Sequence, residues 1–144
     1  MNMKTKEYPT HRLVKSEDLN HHGTLYAGRS AEWFVESGFI SGSALINPRN
    51  IICLKIHGMC FSSPVKPGES ICYTSKIVYA GKSSLVAYVK VARVSKPEIS
   101  IVDGFITFVH VDDNTKACPH GIKIEPESEE DKLLYKKASE LGKC

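Results

Sequence analysis

Apolar and polar residues alternate in four stretches of the chain, and this spacing predicts four β-strands. The stretches are residues 51–61, 70–79, 84–94 and 100–111. Turn residues separate them, with PVKPG at 64–68, AGK at 80–82 and a break at Lys96-Pro97. Because these connections are short, the strands should pair as antiparallel hairpins. We expect a shorter strand at 11–15, after a flexible lead-in over residues 1–10.

The segment 25–45 has a different pattern, with apolar residues on nearly every side and no proline. It predicts a long helix that is buried on all sides. Small residues are frequent in it, and each glycine costs a helix about 1 kcal/mol relative to alanine. We therefore expect another backbone to pack very close to this helix, which Asn47-Pro48 ends.

The last segment, 125–144, predicts a charged helix with acidic residues at its start and lysines further on. Its thin apolar face, formed by Leu133, Leu134 and Leu141, should dock loosely or contact a partner chain. We divide the chain into a domain over 1–124 and this tail. The predicted fold class is α+β, one antiparallel sheet wrapped around one long buried helix. The open edge and outer face of such a sheet favour assembly as a homodimer or a multiple of it.

Composition fits a single globular domain, since 42% of the 144 residues are hydrophobic. Residues 1–124 carry 15 basic and 10 acidic side chains, whereas the tail carries 4 basic and 6 acidic ones. A mildly basic body suits an anionic ligand such as a phosphate-bearing molecule, and an ordinary solvated surface gives the same balance. Basic patches interleaved with aromatic residues are missing, so we expect no nucleic-acid partner.

Five cysteines, with no C-x-x-C pair, argue against a disulfide framework and against a zinc site. Cys53 and Cys60 lie in an apolar run and are predicted to be small core residues. We expect a cytoplasmic protein in a reducing compartment, with no metal. The N-terminus has no apolar signal region, and no apolar stretch is long enough for a membrane span, so we expect no membrane partner.

Three segments carry a resemblance to a known family. Residues 18–28, DLNHHGTLYAG, resemble D-x-N-x-x-G-x followed by an aliphatic residue, Phe or His and two glycines. Residues 61–69 resemble F-x-x-P-V-x-x-G followed by an acid, and residues 79–84, YAGKSS, resemble a turn near coenzyme A. Over about residues 11–122 the chain is similar to the hot-dog-fold acyl-CoA thioesterases.

The resemblance implies hydrolysis of an acyl-CoA thioester, with coenzyme A as part of the substrate and no separate cofactor. It implies that backbone N–H groups of Ala27 or Gly28 polarise the thioester carbonyl, and that Asn20 helps to place the water or the carbonyl. A helix start supplies such donors, because its first N–H groups have no partner inside the helix. The site residues expected to bind substrate are His21, His22, Tyr26, Lys82, Ser83 and Ser84. The active site is expected at the dimer seam.

One position departs from the family pattern, because Val35 stands where the family has its acid. Glu36 or Glu32 could replace that acid, and we favour Glu36, since a carboxylate on a buried helix should have a raised pKa. Either one could instead pair with Arg29 or with a base from a partner subunit. His57 is a further candidate, because the similar fluoroacetyl-CoA thioesterases use a Glu and a His. It could equally be a hydrogen-bonded histidine of the core or an interface.

Two other functions stay open. A dehydratase or another hot-dog enzyme acting on acyl thioesters usually shows an H-x-x-x-P-G loop, and this sequence lacks one. A non-catalytic module that binds acyl-CoA is compatible with valine at position 35. Release of thiol from acyl-CoA distinguishes an enzyme from a binder.

Overall fold

A computed structural model describes residues 2–142, which form a curled antiparallel sheet with one helix inside it and a second helix outside. Two short 3-10 turns, Ser16–Asp18 and Pro48–Asn50, flank the first helix. The strands and helices are β1 (Asn2–Lys4), β2 (Tyr8–Leu13), α1 (Ala27–Ser43), β3 (Ile51–Ile56), β4 (Ser70–Ala80), β5 (Ser84–Arg93), β6 (Lys96–His110), β7 (Lys123–Glu125) and α2 (Glu129–Ser139).

The main sheet has five strands in the order β2-β4-β5-β6-β3, and all of its pairings are antiparallel. Its inner face packs on α1, where Phe34, Tyr73, Ile106 and Phe108 are fully buried. The predicted hot-dog fold, a sheet wrapped around a helix, is confirmed. Strands β2 and β3 are the two edges, while β1 and β7 form a separate parallel pair.

Helix α1 is buried on one side only, which corrects the prediction of a helix buried all round. Glu32, Glu36 and Ile40, spaced four residues apart, are exposed and form one stripe. The glycines of the buried side do meet close neighbours: a Cβ at Gly38 would lie 2.8 Å from the Ile106 side chain. These neighbours are side chains of the sheet, so the expected close backbone is absent at Gly38.

Helix α2 packs on the outer face of the same chain's sheet, where Leu134 and Ala138 join Val78 and Val86 in a second apolar cluster. The expectation of loose docking is wrong, as is the expectation of a fully open outer face, whereas a contact of the exposed Leu133 with a partner chain stays a prediction. A buried ion pair adds to the docking, with Lys76 Nζ 2.7 Å from Asp131 Oδ1. The domain boundary at residue 124 stays a prediction.

Three local expectations need correction. The lead-in is structured, since β1 and the first half of β2 lie within residues 1–10. The β5–β6 hairpin turns at Val94 and Ser95, and Pro97 is accommodated in a register shift inside β6. Cys53 and Cys60 are exposed rather than core residues, because the first lies on the edge strand β3 and the second in the loop after it.

Candidate functional site

A cavity of about 320 Å³ opens at the N-terminal end of α1. One wall is the loop that leads into the helix, and the others are the segment after β3 and the first part of β6. The lining residues are Asn20, Thr24, Leu25, Ala27, Ser30, Phe61, Ser62, Ser63, Pro64, Val65, Ile101 and Val102. Of the residues predicted from sequence, Asn20 and Ala27 are brought together here.

The first turn of α1, at the end of the helix that borders this cavity, has backbone N–H groups without an acceptor among residues 2–142. Tyr26 is the N-cap residue and makes no side-chain capping hydrogen bond. Its own N–H donates to the carbonyl oxygen of Asp18 over 2.8 Å. In the described part of the chain, the N–H groups of Ala27 and Gly28 have no recorded acceptor. Together with the helix dipole, these two groups can bind a carbonyl oxygen that gains negative charge.

Gly28 leaves room for the ring of Tyr26, which would have to turn away if position 28 carried a Cβ. The Tyr26 ring lies across the helix start, and a Cβ at Gly28 would come within 2.5 Å of it. Tyr26 is 56% exposed and does not line the cavity. Its ring therefore shields the outer side of the helix start.

Asn20 builds the loop in front of the helix. Its Oδ1 accepts hydrogen bonds from the N–H groups of His22 (2.9 Å) and Thr24 (3.2 Å), and its Nδ2 donates to Thr24 Oγ1 over 3.1 Å. The amide nitrogen carries a second hydrogen that is still available to a molecule in the cavity. Asn20 therefore has a structural role in the loop, and its role in placing the water or the carbonyl stays a prediction. His21 and His22 are exposed beside it, with ring centroids 3.9 Å apart, and do not line the cavity.

Asp18 anchors this loop, a role that the sequence analysis did not assign to it. Its side chain is only 2% exposed, and its Oδ2 accepts a hydrogen bond from the Lys15 N–H over 2.9 Å. Arg29 Nη1 lies 3.5 Å from the other oxygen. The carboxylate thus connects the 3-10 turn with the first turn of α1 through these two contacts.

The two helix carboxylates lie outside the cavity. Glu36 forms an ion pair with Arg12 of β2, and its side chain is 56% exposed, so the expectation of a buried carboxylate is wrong. The Arg12 guanidinium also lies 5.2 Å from the centre of the Trp33 ring. Glu32 is 74% exposed and 4.0 Å from Arg29. Successive helical residues are turned by about 100°, so Glu36 faces the β2 edge while Val35 packs partly buried against the core.

His57 lies on the outer face of the sheet, across from α1. Its Nε2 is 2.6 Å from Thr107 Oγ1, and its N–H donates to the Phe105 carbonyl. Thr107 lies between two residues of β6 that face the helix, so its own side chain faces outward. Partial burial and then the charge of Lys55 lower the pKa of His57. Within one chain, the expected meeting of His57 and a helix carboxylate therefore does not occur.

The turn formed by Lys82, Ser83 and Ser84 lies at the opposite end of the sheet from the cavity. It closes the β4–β5 hairpin, with the Gly81 N–H donating to the Ser84 carbonyl over 3.0 Å. The 11 residues of β4 extend roughly 35 Å between these two ends. Beside the turn is a second cavity of about 390 Å³, and its lining includes Lys82, His120 and Lys123.

Ser30 is the residue that the sequence analysis missed. It lies three positions after Ala27, so both are on one helix face, and both line the cavity. This spacing was available in the sequence and could have identified it. Within residues 2–142 there is no group of three His, Cys, Asp or Glu residues arranged to hold a metal ion. No helix in that range is long and apolar enough to cross a membrane.

Comparison with known proteins gives one family and a consistent set of structures. The model of the thioesterase superfamily matches residues 22–99. An uncharacterized acyl-CoA thioester hydrolase of Bacillus subtilis, YkhA, is 28% identical over 125 residues, which are 84% of this chain and 71% of that protein.

Two solved structures are similar over 92% of this chain. The acyl-CoA hydrolase of Staphylococcus aureus, in complex with butyryl coenzyme A, coenzyme A and coenzyme A disulfide, has a TM-score of 0.82 at 24% identity, with 82% of that chain covered. An apo-hexameric acyl-CoA thioesterase has a TM-score of 0.80 at 25% identity, with 86% of its chain covered.

Proposed function

The chain belongs to the thioesterase superfamily, and from this premise we propose that it hydrolyses an acyl-CoA thioester to a free acid and coenzyme A. The observation that carries the proposal is the uncapped start of α1, where the N–H groups of Ala27 and Gly28 have no acceptor among the described residues and Ala27 lies in the wall of an open cavity. Coenzyme A enters as part of the substrate and leaves as product. We propose no separate cofactor.

The carbonyl of the thioester is polarised by the helix start. As water attacks, negative charge develops on the carbonyl oxygen, and donors fixed in place stabilise that charge without reorganising. Ala27 and Gly28 supply two such donors, and the second hydrogen of Asn20 Nδ2 supplies a third near the attacking water. Removing one oxyanion donor typically lowers kcat by about 10²–10³-fold.

The acyl group occupies the apolar part of the cavity. Leu25, Phe61, Val65, Ile101 and Val102 provide this surface. The cavity, of about 320 Å³, is open on one side in the single chain, so its volume alone sets no limit on the acyl chain length.

A second copy of the chain completes the site. The edge strand β3 exposes Ile52 and Ile56, each about 40% accessible, and an apolar edge of this kind pairs readily with another strand. Pairing of two β3 strands about a two-fold axis is antiparallel. It brings the Lys82 end of one sheet to the cavity end of the other, which one chain alone cannot do. The turn at residues 82–84 and its adjoining cavity can then hold the phosphate-bearing part of coenzyme A.

The base that activates water comes from outside the cavity lining, which contains neither a carboxylate nor an imidazole. We propose Glu36, oriented by Arg12, ahead of Glu32 and His57, and because Glu36 faces the β2 edge it is supplied by a further subunit rather than by the copy paired through β3. The exposed stripe of α1 that bears both glutamates is accessible to such a neighbour.

The test is thiol release from acyl-CoA esters of increasing chain length. Wild type is compared with Glu36→Gln, and with Glu32→Gln as the matched control from the same helix stripe. We expect hydrolysis by wild type and a loss of about a hundredfold or more in Glu36→Gln, as for a general base. Activity that survives Glu36→Gln but falls in Glu32→Gln or His57→Gln moves the base to that residue.

A non-catalytic acyl-CoA module is the second candidate, and valine at position 35 is the observation that favours it. A folded wild-type protein that acyl-CoA stabilises against heat, but that releases no thiol from any ester, would establish this function in place of hydrolysis.

A further inference from the structure

Ser30 and Tyr73 form a buried pair of hydroxyl groups behind the cavity wall. Ser30 Oγ and the Tyr73 hydroxyl are 2.8 Å apart, and either oxygen could be the donor. Ser30 is 4% exposed and lines the cavity, whereas Tyr73 is completely buried and does not line it. A polar pair at this place in a helix–sheet core needs an explanation, because burying a hydroxyl is unfavourable unless it is hydrogen-bonded.

The direction of this hydrogen bond follows from counting protons. Two hydroxyls hold two protons, and only one lies between the two oxygens. If Ser30 donated, the Tyr73 proton would be left without an acceptor in a fully buried position, because the described residues offer it none. If Tyr73 donates, the spare proton belongs to Ser30, which faces the cavity. The second arrangement avoids an unsatisfied buried donor, which would be unfavourable.

Tyr73 remains a proton donor over the whole working range of pH. Burial raises its pKa to about 12, while the bond to Ser30 and the charge of Arg12 act weakly in the opposite direction. The phenol therefore stays protonated at neutral pH and keeps orienting Ser30.

Other serines of the same helix use their hydroxyls within the protein. Ser41 Oγ donates to the Gly38 carbonyl over 2.8 Å, and Ser43 Oγ donates to the Ile40 carbonyl over 3.0 Å. The hydroxyls of Thr24 and Ser62 in the cavity wall are also engaged, with Asn20 and with the Ile101 carbonyl. Ser63 Oγ, in the loop after β3, accepts from Arg93 Nη2 over 3.2 Å, whereas Ser30 lies on the helix face next to Ala27, and its partner is another hydroxyl that leaves it one proton.

Ser30 is well placed to reach the same oxygen as the helix start. Its Cα lies about 4.5 Å further along the axis than that of Ala27, and helical side chains lean back toward the N-terminus. We propose that the Ser30 hydroxyl, oriented by Tyr73, donates a third hydrogen bond to the carbonyl oxygen of the bound thioester. This inference rests on the proposed thioesterase function. Ser30 would be a catalytic residue and Tyr73 its positioning residue.

The experiment is steady-state hydrolysis of the best acyl-CoA ester by wild type, Ser30→Ala, Tyr73→Phe and the matched control Ser41→Ala. We expect Ser30→Ala to lower kcat by roughly a hundredfold with little change in KM, because the bond strengthens as charge develops. Tyr73→Phe keeps the serine but frees its rotation, so a smaller loss of kcat is expected. The pH profile of each variant should keep its shape, since neither hydroxyl titrates in the working range.

Three outcomes overturn the inference. The first is a Ser30→Ala kcat equal to that of Ser41→Ala, the second a loss confined to KM, and the third a shifted pH profile. Thermal unfolding of each variant separates a folding defect from a catalytic one, and Tyr73→Phe keeps the inference testable if Ser30→Ala is unstable. Absence of hydrolysis by wild type would overturn the proposed function itself, and the role of Ser30 in that reaction with it. Wild-type hydrolysis with an unimpaired Ser30→Ala rejects the inference alone.

Discussion

The buried ion pair between Lys76 and Asp131 should decide how firmly α2 holds to the sheet. The two side chains are 11% and 12% exposed, with 2.7 Å between Nζ and Oδ1, and Thr5 Oγ1 donates to Asp131 Oδ2 over 2.6 Å. Removing one partner of a buried pair generally costs about 3–5 kcal/mol, because the other charge is left in a poorly solvated place. Glu130, 3.5 Å from the same ammonium, offers a weaker substitute. We therefore expect Asp131→Asn to lower the free energy of unfolding by about 3 kcal/mol.

The assay is urea unfolding followed by the fluorescence of Trp33, the single tryptophan, which is 8% exposed in the core. Protein concentration must be equal in all samples, since association adds to apparent stability. The double variant Lys76→Met with Asp131→Leu replaces the pair by apolar side chains, and it should lie within about 1 kcal/mol of wild type. A loss below about 1 kcal/mol in Asp131→Asn, or a double variant as unstable as the sum of its single variants, would refute the reasoning.

The same pair predicts a dependence of stability on pH. Burial acts to raise the pKa of Asp131, but hydrogen bonds from Lys76 and Thr5 outweigh it, and the pKa is lowered from its ordinary 3.8. The unfolded chain then binds more protons near that pH than the folded chain, so stability rises with pH there. This contribution is present above the unfolded pKa and is lost as pH falls through the folded one. It should disappear in Asp131→Asn.

Three further predictions concern the tight packing, the outer face and the sheet edge. In Gly104→Ala the new Cβ would lie 2.6 Å from the Gly58 carbonyl oxygen, so we expect a loss of about 1–3 kcal/mol by thermal unfolding. His57 should titrate by NMR below 6.5, since burial and then Lys55 lower its pKa, and Lys55→Ala should restore part of the difference. Ile52→Lys should shift sedimentation from oligomer to monomer, because it places a charge on the exposed face of edge strand β3.

Each of these has a control. Gly142→Ala adds a methyl group where nothing lies within 4 Å and should leave stability nearly unchanged. A His57 titration at or above 6.5 would contradict the cause assigned to its pKa. Leu13→Lys alters a somewhat more exposed apolar residue on the other edge strand, β2, so dissociation by both variants would argue against β3 as the specific interface.

The sequence pattern predicted the fold more reliably than it predicted burial. Alternation located the four strands β3 to β6, although β3 ends at Ile56 rather than at residue 61, and the change to a helical pattern located α1 within two residues at each end. It failed at Cys53 and Cys60, because apolar neighbours do not reveal that β3 is an edge strand. It failed at Pro97 for a related reason, since a register shift tolerates proline inside β6.

For the candidate site, too, the sequence predicted the position of some residues correctly and that of others incorrectly. The motif at residues 18–28 identified Asn20 and Ala27, which the structure brings to one cavity, because a loop and the helix start that follows it are close along the chain. Counting along the helix could not show that Glu36 turns to the β2 edge and pairs with Arg12, since that depends on where the sheet lies around α1. For His57 the sequence left a proton shuttle and a hydrogen-bonded histidine open, and its 2.6 Å contact with Thr107 Oγ1 fits the second alternative.

The sequence by itself therefore determined what periodicity and local chemistry can encode: one sheet, one inner helix, the turn positions and a helix start with unpaired donors. The tertiary structure alone decided which side chains meet. It placed α2 on the outer face, put the Lys82 turn at the other end of the sheet from the cavity, and set Tyr73 behind Ser30. The physical reason is that local conformation depends on neighbours in sequence, whereas burial, ion pairing and cavity shape depend on residues far apart in the chain.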